Sequence, residues 1–305
     1  MIAPLKDAKT YEDQVNNLKV NHGLEIADMA EAIDILSRVN YYRLSAYGIG
    51  LKRKDDSERY KDGISLRRLF RLYEFDHKLR LALFDILEQI ETELRTKIAY
   101  HLAITYGPES YMDSSFFLPK YDSQHKHLLE TKVINRFICE VKRNEHLPCV
   151  VHHQNKYGGH FPIWAAVELF SFGMLNSLYS LMLPQDKQAI AADYYTTPEY
   201  FDGWFLALVD VRNRCAHFGR IYNMPLPNTV KLYSGERVYS GNKIFPIIII
   251  LKRIMHERPA WETFYYTLST LIKQYPEASL HFMGFPEKWQ DVLQKVKPKI
   301  PKQSN

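Results

Sequence analysis

Cysteine is scarce: Cys139, Cys149 and Cys215 are all that 305 residues contain, too few for a disulfide framework and in keeping with a reducing compartment. Long apolar runs are missing too. Ile247-Ile248-Ile249-Ile250-Leu251, with Phe245 before Pro246, is far short of the roughly 18 residues a membrane helix needs. Between Met1 and Thr10 stand Lys6, Asp7 and Lys9, where a secretory signal would be apolar, so the expected location is the cytoplasm. There is no Gly-rich phosphate loop, no Gly-x-Ser-x-Gly and no dinucleotide fingerprint. Internal repeats and low-complexity linkers are also absent, which argues for one domain over 1–305 with its core at about 10–290. What is present is an ordinary globular mixture, 46% hydrophobic and 25% charged. Its net charge of +5 leans only mildly toward a polyanionic partner, and its 21 tyrosines are an unusual excess.

The helical signals dominate. Thr10 and Asp28 read as N-caps of two helices, about 11–20 and 28–39, separated by Gly23. From Ser65 to Gly107-Pro108 the residues Leu79, Leu83, Leu87, Ile90, Leu94, Ile98 and Leu102 recur every three or four positions, a stripe for one helix of about ten turns. Further helices are expected at about 123–145, 163–170, 174–183, 185–195, 198–217, 246–257 and 260–274, with a short one after Pro286. The segment Leu232 to Asn242, with Ser-Gly pairs between Leu-Tyr and Val-Tyr, reads as one small β-hairpin. The fold class expected is all-α, a helical bundle with peripheral helices.

Chemistry concentrates where the helix entered at Thr197-Pro198 ends, Asp210-Val211-Arg212-Asn213-Arg214-Cys215-Ala216-His217-Phe218-Gly219-Arg220. With Leu208 at zero on a helical wheel, Phe201, Trp204, Phe205, Val211 and Cys215 fall within about 60°, whereas Asn213 and His217 fall near 140° and 180°. The histidine therefore faces away from the core. Arg212, near 40°, lies inside the apolar arc, where a guanidinium needs a partner such as Glu91 or Glu168, or a cleft. Cys215 points inward as a buried thiol, and Arg214 is placed to pair with Asp210 one turn back. A histidine exchanges protons near neutral pH, and an arginine beside it holds a phosphate or its transition state. That pair suits metal-independent RNA cleavage, in which the 2′-hydroxyl attacks its own phosphodiester.

The spacing alone carries little weight. Arg followed by His with four to six residues between occurs three times: Arg71 to His77, Arg95 to His101 and Arg212 to His217. His101 lies close to the long helix's stripe and reads as a packed histidine, while Arg95 follows Glu91 by four and reads as an ion pair. Lys52 to Arg80 holds ten Lys/Arg against six Asp/Glu, so Arg67, Arg68 and Arg71 are candidates for an RNA-facing surface, with a plain solvated face as the alternative. Tyr41, Tyr42 and Tyr47 flank Leu44 and fit either base stacking or the core. No zinc spacing occurs in Cys139, Cys149, His152 and His153, and no metal or cofactor is expected.

The stretch Arg-Asn-x-x-Ala-His-Phe-Gly-Arg-x-Tyr-Asn, Arg212 to Asn223, resembles the signature of the AbiD/AbiF-like abortive-infection proteins, a branch of the HEPN superfamily. Similar to that family as well are Asn40-Tyr41-Tyr42-Arg43-Leu44-Ser45-Ala46-Tyr47, Tyr73-x-Phe75-Asp76-x-x-Leu79-Arg80 leading to Ile90-Glu91-x-x-Leu94-Arg95-Thr96, Pro162-Ile163-Trp164 with Glu168 and Ser171-Phe172-Gly173, and Met283-Gly284-Phe285-Pro286-x-x-Trp289. The resemblance implies a HEPN-like bundle, a ribonuclease site at Arg212, Asn213 and His217, a role in phage defence, and a homodimer whose two motifs share one composite site. Arg214, Arg220 and Tyr222 are then candidates for contact with RNA, with packing as the alternative for Arg220 and Tyr222. Two other readings stay open on the residues: a non-catalytic RNA-binding sensor, and a regulatory module for an antitoxin or regulatory RNA.

Overall fold

A computed structural model describes residues 7–256 and 258–297. The part of the amino-terminal charged stretch before Asp7, and the last residues of the expected single domain, lie outside the described residues. The fold is all-α. Thr10 caps α1 (Tyr11–Val20) by accepting the Asp13 N–H, and Asp28 caps α2 (Met29–Arg38) by accepting from Ala30 and Glu31. A short α3 (Tyr41–Ser45), within a segment for which no element was expected, follows Asn40, whose side chain accepts the Tyr42 N–H.

The frame of the molecule is α4 (Leu66–Tyr106), about 60 Å long at 1.5 Å per residue. Ser65 caps it and Gly107, at φ +98°, stops it, because only glycine enters that region without steric cost. Every leucine and isoleucine of the expected stripe is fully buried. Against it pack α7 (Ile163–Ala166), α10 (Pro198–Ala216) and α12 (Pro259–Gln274). The remaining helices are α5 (Asn135–Arg143, continuing a π-helical turn over Glu130–Ile134), α6 (Pro148–Tyr157), α8 (Phe172–Leu181), α9 (Pro184–Ala192), α11 (Ile244–Ile254) and α13 (Trp289–Lys295). Apolar on nearly every side, α11 is buried almost throughout, as such a composition requires. A smaller core of Val15, Leu18, Ile35, Leu36 and Leu44 joins α1 to α3 with the first turns of α4.

One expected element does not form. Leu232 to Asn242 is no hairpin: Ser234–Tyr239 forms a 3₁₀ helix, and a single bridge from Val230 to Gly241 closes the loop. Ser234-Gly235 opens this turn of helix and Ser240-Gly241 follows its end, so neither reverses two strands. No helix among the described residues is long and apolar enough to cross a membrane.

Candidate active site

Pro198 in the first turn opens α10, and Phe201, Trp204, Phe205, Leu208, Val211 and Cys215 bury one face against α4 and α8. Burial pushes the Cys215 thiol up to about 12, so it stays protonated and inert near neutral pH. The helix ends at His217 in a double bond pattern, the Gly219 N–H donating to the Arg214 carbonyl (2.7 Å) and the Phe218 N–H to that of Cys215 (3.2 Å). The left-handed residue in this ending is Phe218, at φ +58°, where glycine is usual. A Cβ at Gly219 would meet the Arg214 Cγ at 2.7 Å, so the next position has to be glycine.

His217 is exposed, as the wheel placed it, and its imidazole makes no hydrogen bond among the described residues. Phe218 beside it is 67% exposed, and its carbonyl accepts from Arg43 Nη1 at 2.8 Å. Arg212 is tied down. Its Nε donates to Glu91 Oε2 at 2.7 Å, its Nη1 to Asn213 Oδ1 at 3.3 Å, and its guanidinium lies over the Phe84 ring. Of the two acids that the sequence offered as partners, α4 supplies Glu91. The same carboxylate accepts from Arg95, whose other nitrogen reaches the Val167 carbonyl. One carboxylate between two guanidiniums leaves a net positive charge there. The Glu91 side chain is 7% exposed and that of Arg212 27%, so solvent reaches the arginine and hardly touches the acid.

A second carboxylate, fifteen residues earlier on α4, holds the chain just after the motif. Asp76 is fully buried and accepts from Tyr47 Oη (2.6 Å), from Arg80, and from the backbone N–H groups of Ile221 (2.9 Å) and Tyr222 (2.7 Å). Burial and the adjoining carboxylate push the Tyr47 phenol far above its ordinary value. Arg220 donates to the Ala46 carbonyl and lies over the Tyr47 ring, and burial lowers its pKa. Asn223 donates to the Ile49 carbonyl at 2.9 Å. The segment around α3 and the turn after α10 are therefore one interlocked unit.

Several expected contacts take other forms. Arg214 does not pair with Asp210, because the chain doubles back after Gly219 and offers it the carbonyls of Arg220 and Pro225, while Asp210 takes the Asn228 amide. Tyr222 is buried, packed edge-on to Phe75 and Phe282, with its hydroxyl accepting the Ser279 N–H; in this fold it packs and does not line a cleft. His101 is only partly buried and bonds to Asp186 at 2.8 Å. Arg67, Arg68 and Arg71 line a separate cavity of about 470 Å³ with Pro276 and Glu277. Arg71 is bonded inward to Glu277 and the Gln274 carbonyl, both at 2.6 Å. None of the three bonds to Arg212, Asn213 or His217. Sequence reasoning missed Asp76, although an acid three before Leu79 on an apolar stripe and four before Arg80 was a usable signal.

The model of the Abi-like protein family matches residues 34–223, well over half of the chain. The chain belongs to that family. Membership points to abortive infection, the self-limiting defence against phage. The matched span takes in α3, α4 and α10 through Asn223, and so both carboxylate clusters and the whole motif of this Abi-like protein. No curated protein and no solved structure matches the chain.

Proposed function

We propose that this Abi-like protein is a HEPN-type, metal-independent endoribonuclease of the AbiD/AbiF kind, acting in abortive infection from the cytoplasm. The observation that carries the reading is His217, an exposed imidazole without a hydrogen-bond partner among the described residues, at the end of the helix that also bears Arg212. His217 exchanges the proton of the 2′-hydroxyl or of the leaving 5′-oxygen. Arg212, with the net positive charge left at Glu91, offsets the charge of the phosphorane, and Asn213 orients the arginine or the phosphate. Cleavage then leaves a 2′,3′-cyclic phosphate and a 5′-hydroxyl.

Five residues along a helix place Arg212 and His217 about 140° apart, so one motif presents only half of an acid–base site on any one face. A homodimer in which two motifs face each other supplies the other half. Arg67 and Arg68 are the candidates for holding RNA outside the reacting phosphate, with Arg214 beside them through the nitrogens other than the Nη1 that bonds the Arg220 and Pro225 carbonyls; Arg71, Arg220 and Tyr222 have their polar groups engaged within the fold.

Purified protein incubated with RNA in EDTA tests this. The expected result is cyclic-phosphate ends that disappear in both Arg212→Ala and His217→Ala. RNA held without cutting would favour the non-catalytic sensor, to which the Arg212–Glu91 pair lends weight. Neither binding nor cutting would favour a module for an antitoxin.

A further inference from the structure

Between α1 and α3 lies an open cavity of about 920 Å³ that the site above leaves unused. It falls within the range of about 300–1,000 Å³ in which small ligands bind. Its lining follows from the sequence of α1: Gln14, Asn17 and Asn21 recur at steps of three and four and share one face, while Val15 and Leu18 are buried in the smaller core. The opposite wall is Asn40, Tyr41 and Tyr42.

Two properties narrow the occupant. Tyr42 is 83% exposed, so a flat hydrophobic ring stands bare at the cavity wall. The amides are only partly used: Asn21 donates to Asn17 and Asn40 accepts from the Tyr42 N–H, which leaves Asn21 Oδ1, Gln14 Oε1 and Asn40 Nδ2 without hydrogen bonds among the described residues. Acceptors and a donor beside an aromatic face match the mixed edge and flat face of a nucleobase. Lys9 is outnumbered by Asp7 and Glu58, so the cavity does not attract phosphate.

We propose that this cavity binds an unpaired nucleobase, with Tyr42 stacking on its face and the amides of Asn21 and Asn40 reading its edge. α3 couples the cavity to the motif: Arg43, next after Tyr42, holds the carbonyl of Phe218, next after His217. That the base belongs to the RNA being cut, and not to a free nucleoside, rests on the endoribonuclease reading.

The test uses a 2′-O-methyl oligoribonucleotide carrying 2-aminopurine, which lacks the attacking hydroxyl, and 2-aminopurine riboside as the free form. Binding to the full chain is expected to quench the fluorescence, with affinity about tenfold weaker in Tyr42→Ala and restored in Tyr42→Trp. Asn21→Ala is a second arm with no stacking role, expected to weaken binding severalfold. Dependence on Tyr42 with the oligonucleotide alone assigns the base to RNA, and dependence with the riboside at equal strength assigns it to a free nucleoside. Binding of both probes that is unchanged in Tyr42→Ala and Asn21→Ala overturns the proposal, as does no binding by the wild type. RNA cutting without dependence on Tyr42 leaves the ribonuclease standing and the cavity refuted. Tyr42-dependent quenching without cutting does the reverse.

Discussion

Asp76 and Glu91 sit on the same helix, each four residues before an arginine, and each reaches across to the segment that carries the motif. Their surroundings differ. Asp76 is sealed from water and saturated by four donors, two of them backbone N–H groups, so it fixes where the chain runs after His217. Glu91 is shared by two arginines, one of which keeps a solvent-facing edge, so it fixes a side chain and leaves that side chain available. The same i,i+4 device thus serves as an anchor at one site and as a poised charge at the other.

The largest effect that tests this contrast is Asp76→Ala. It strands the Arg80 guanidinium, the Tyr47 hydroxyl and two backbone N–H groups in the interior, and is expected to cost about 3–5 kcal/mol, read as a lower urea midpoint. Glu91→Gln keeps one acceptor and leaves both arginines some access to water; about 1–3 kcal/mol is expected from the same titration. A cost equal to that of Asp76→Ala would erase the distinction.

Alkaline pH sharpens the contrast from another side. Burial raises Tyr47 above its ordinary 10.0, and Cys215 from 9.0 to about 12, so the folded chain keeps protons that the unfolded chain gives up. Stability should be full below about pH 9 and fall as pH rises beyond it. Tyr47→Phe should cost about 1 kcal/mol at pH 7 and flatten that fall in urea midpoints. Smallest is His217→Ala, expected to shift stability by no more than about 0.5 kcal/mol in calorimetry because the side chain is exposed and makes no hydrogen bond among the described residues. A larger loss would give the histidine a structural role.

Much of this was legible in the sequence because it is periodic or local. The stripe of α4 and its start at Ser65, the caps at Thr10 and Asp28 and the outward face of His217 all follow from spacings within one helix. The Arg95–Glu91 pair was local too, and Glu91 was one of two acids within reach of Arg212. Asp76 was not legible as an anchor, because its deciding partners are backbone groups 145 and 146 positions away, which carry no residue signature. α6 escaped because Cys149-Val150-Val151-His152-His153 has no clean apolar period, and only Val150 of that helix is buried.

The buried helix α11 has a consequence for synthesis. Ile247 to Leu251 is uncharged, β-branched in four of its five positions, and of the length that pairs readily into intermolecular strands while it is unprotected. It emerges from the ribosome well after α4, whose stripe waits for cover. Pro246 before the run and Lys252 and Arg253 after it act as gatekeepers in the nascent chain. The finished protein buries Arg253, where its guanidinium donates to Glu236 at 2.5 Å. Lys252→Ile lengthens the apolar run and spares that ion pair, and it should appear as a lower soluble yield on rapid expression while the purified protein melts at nearly the same temperature.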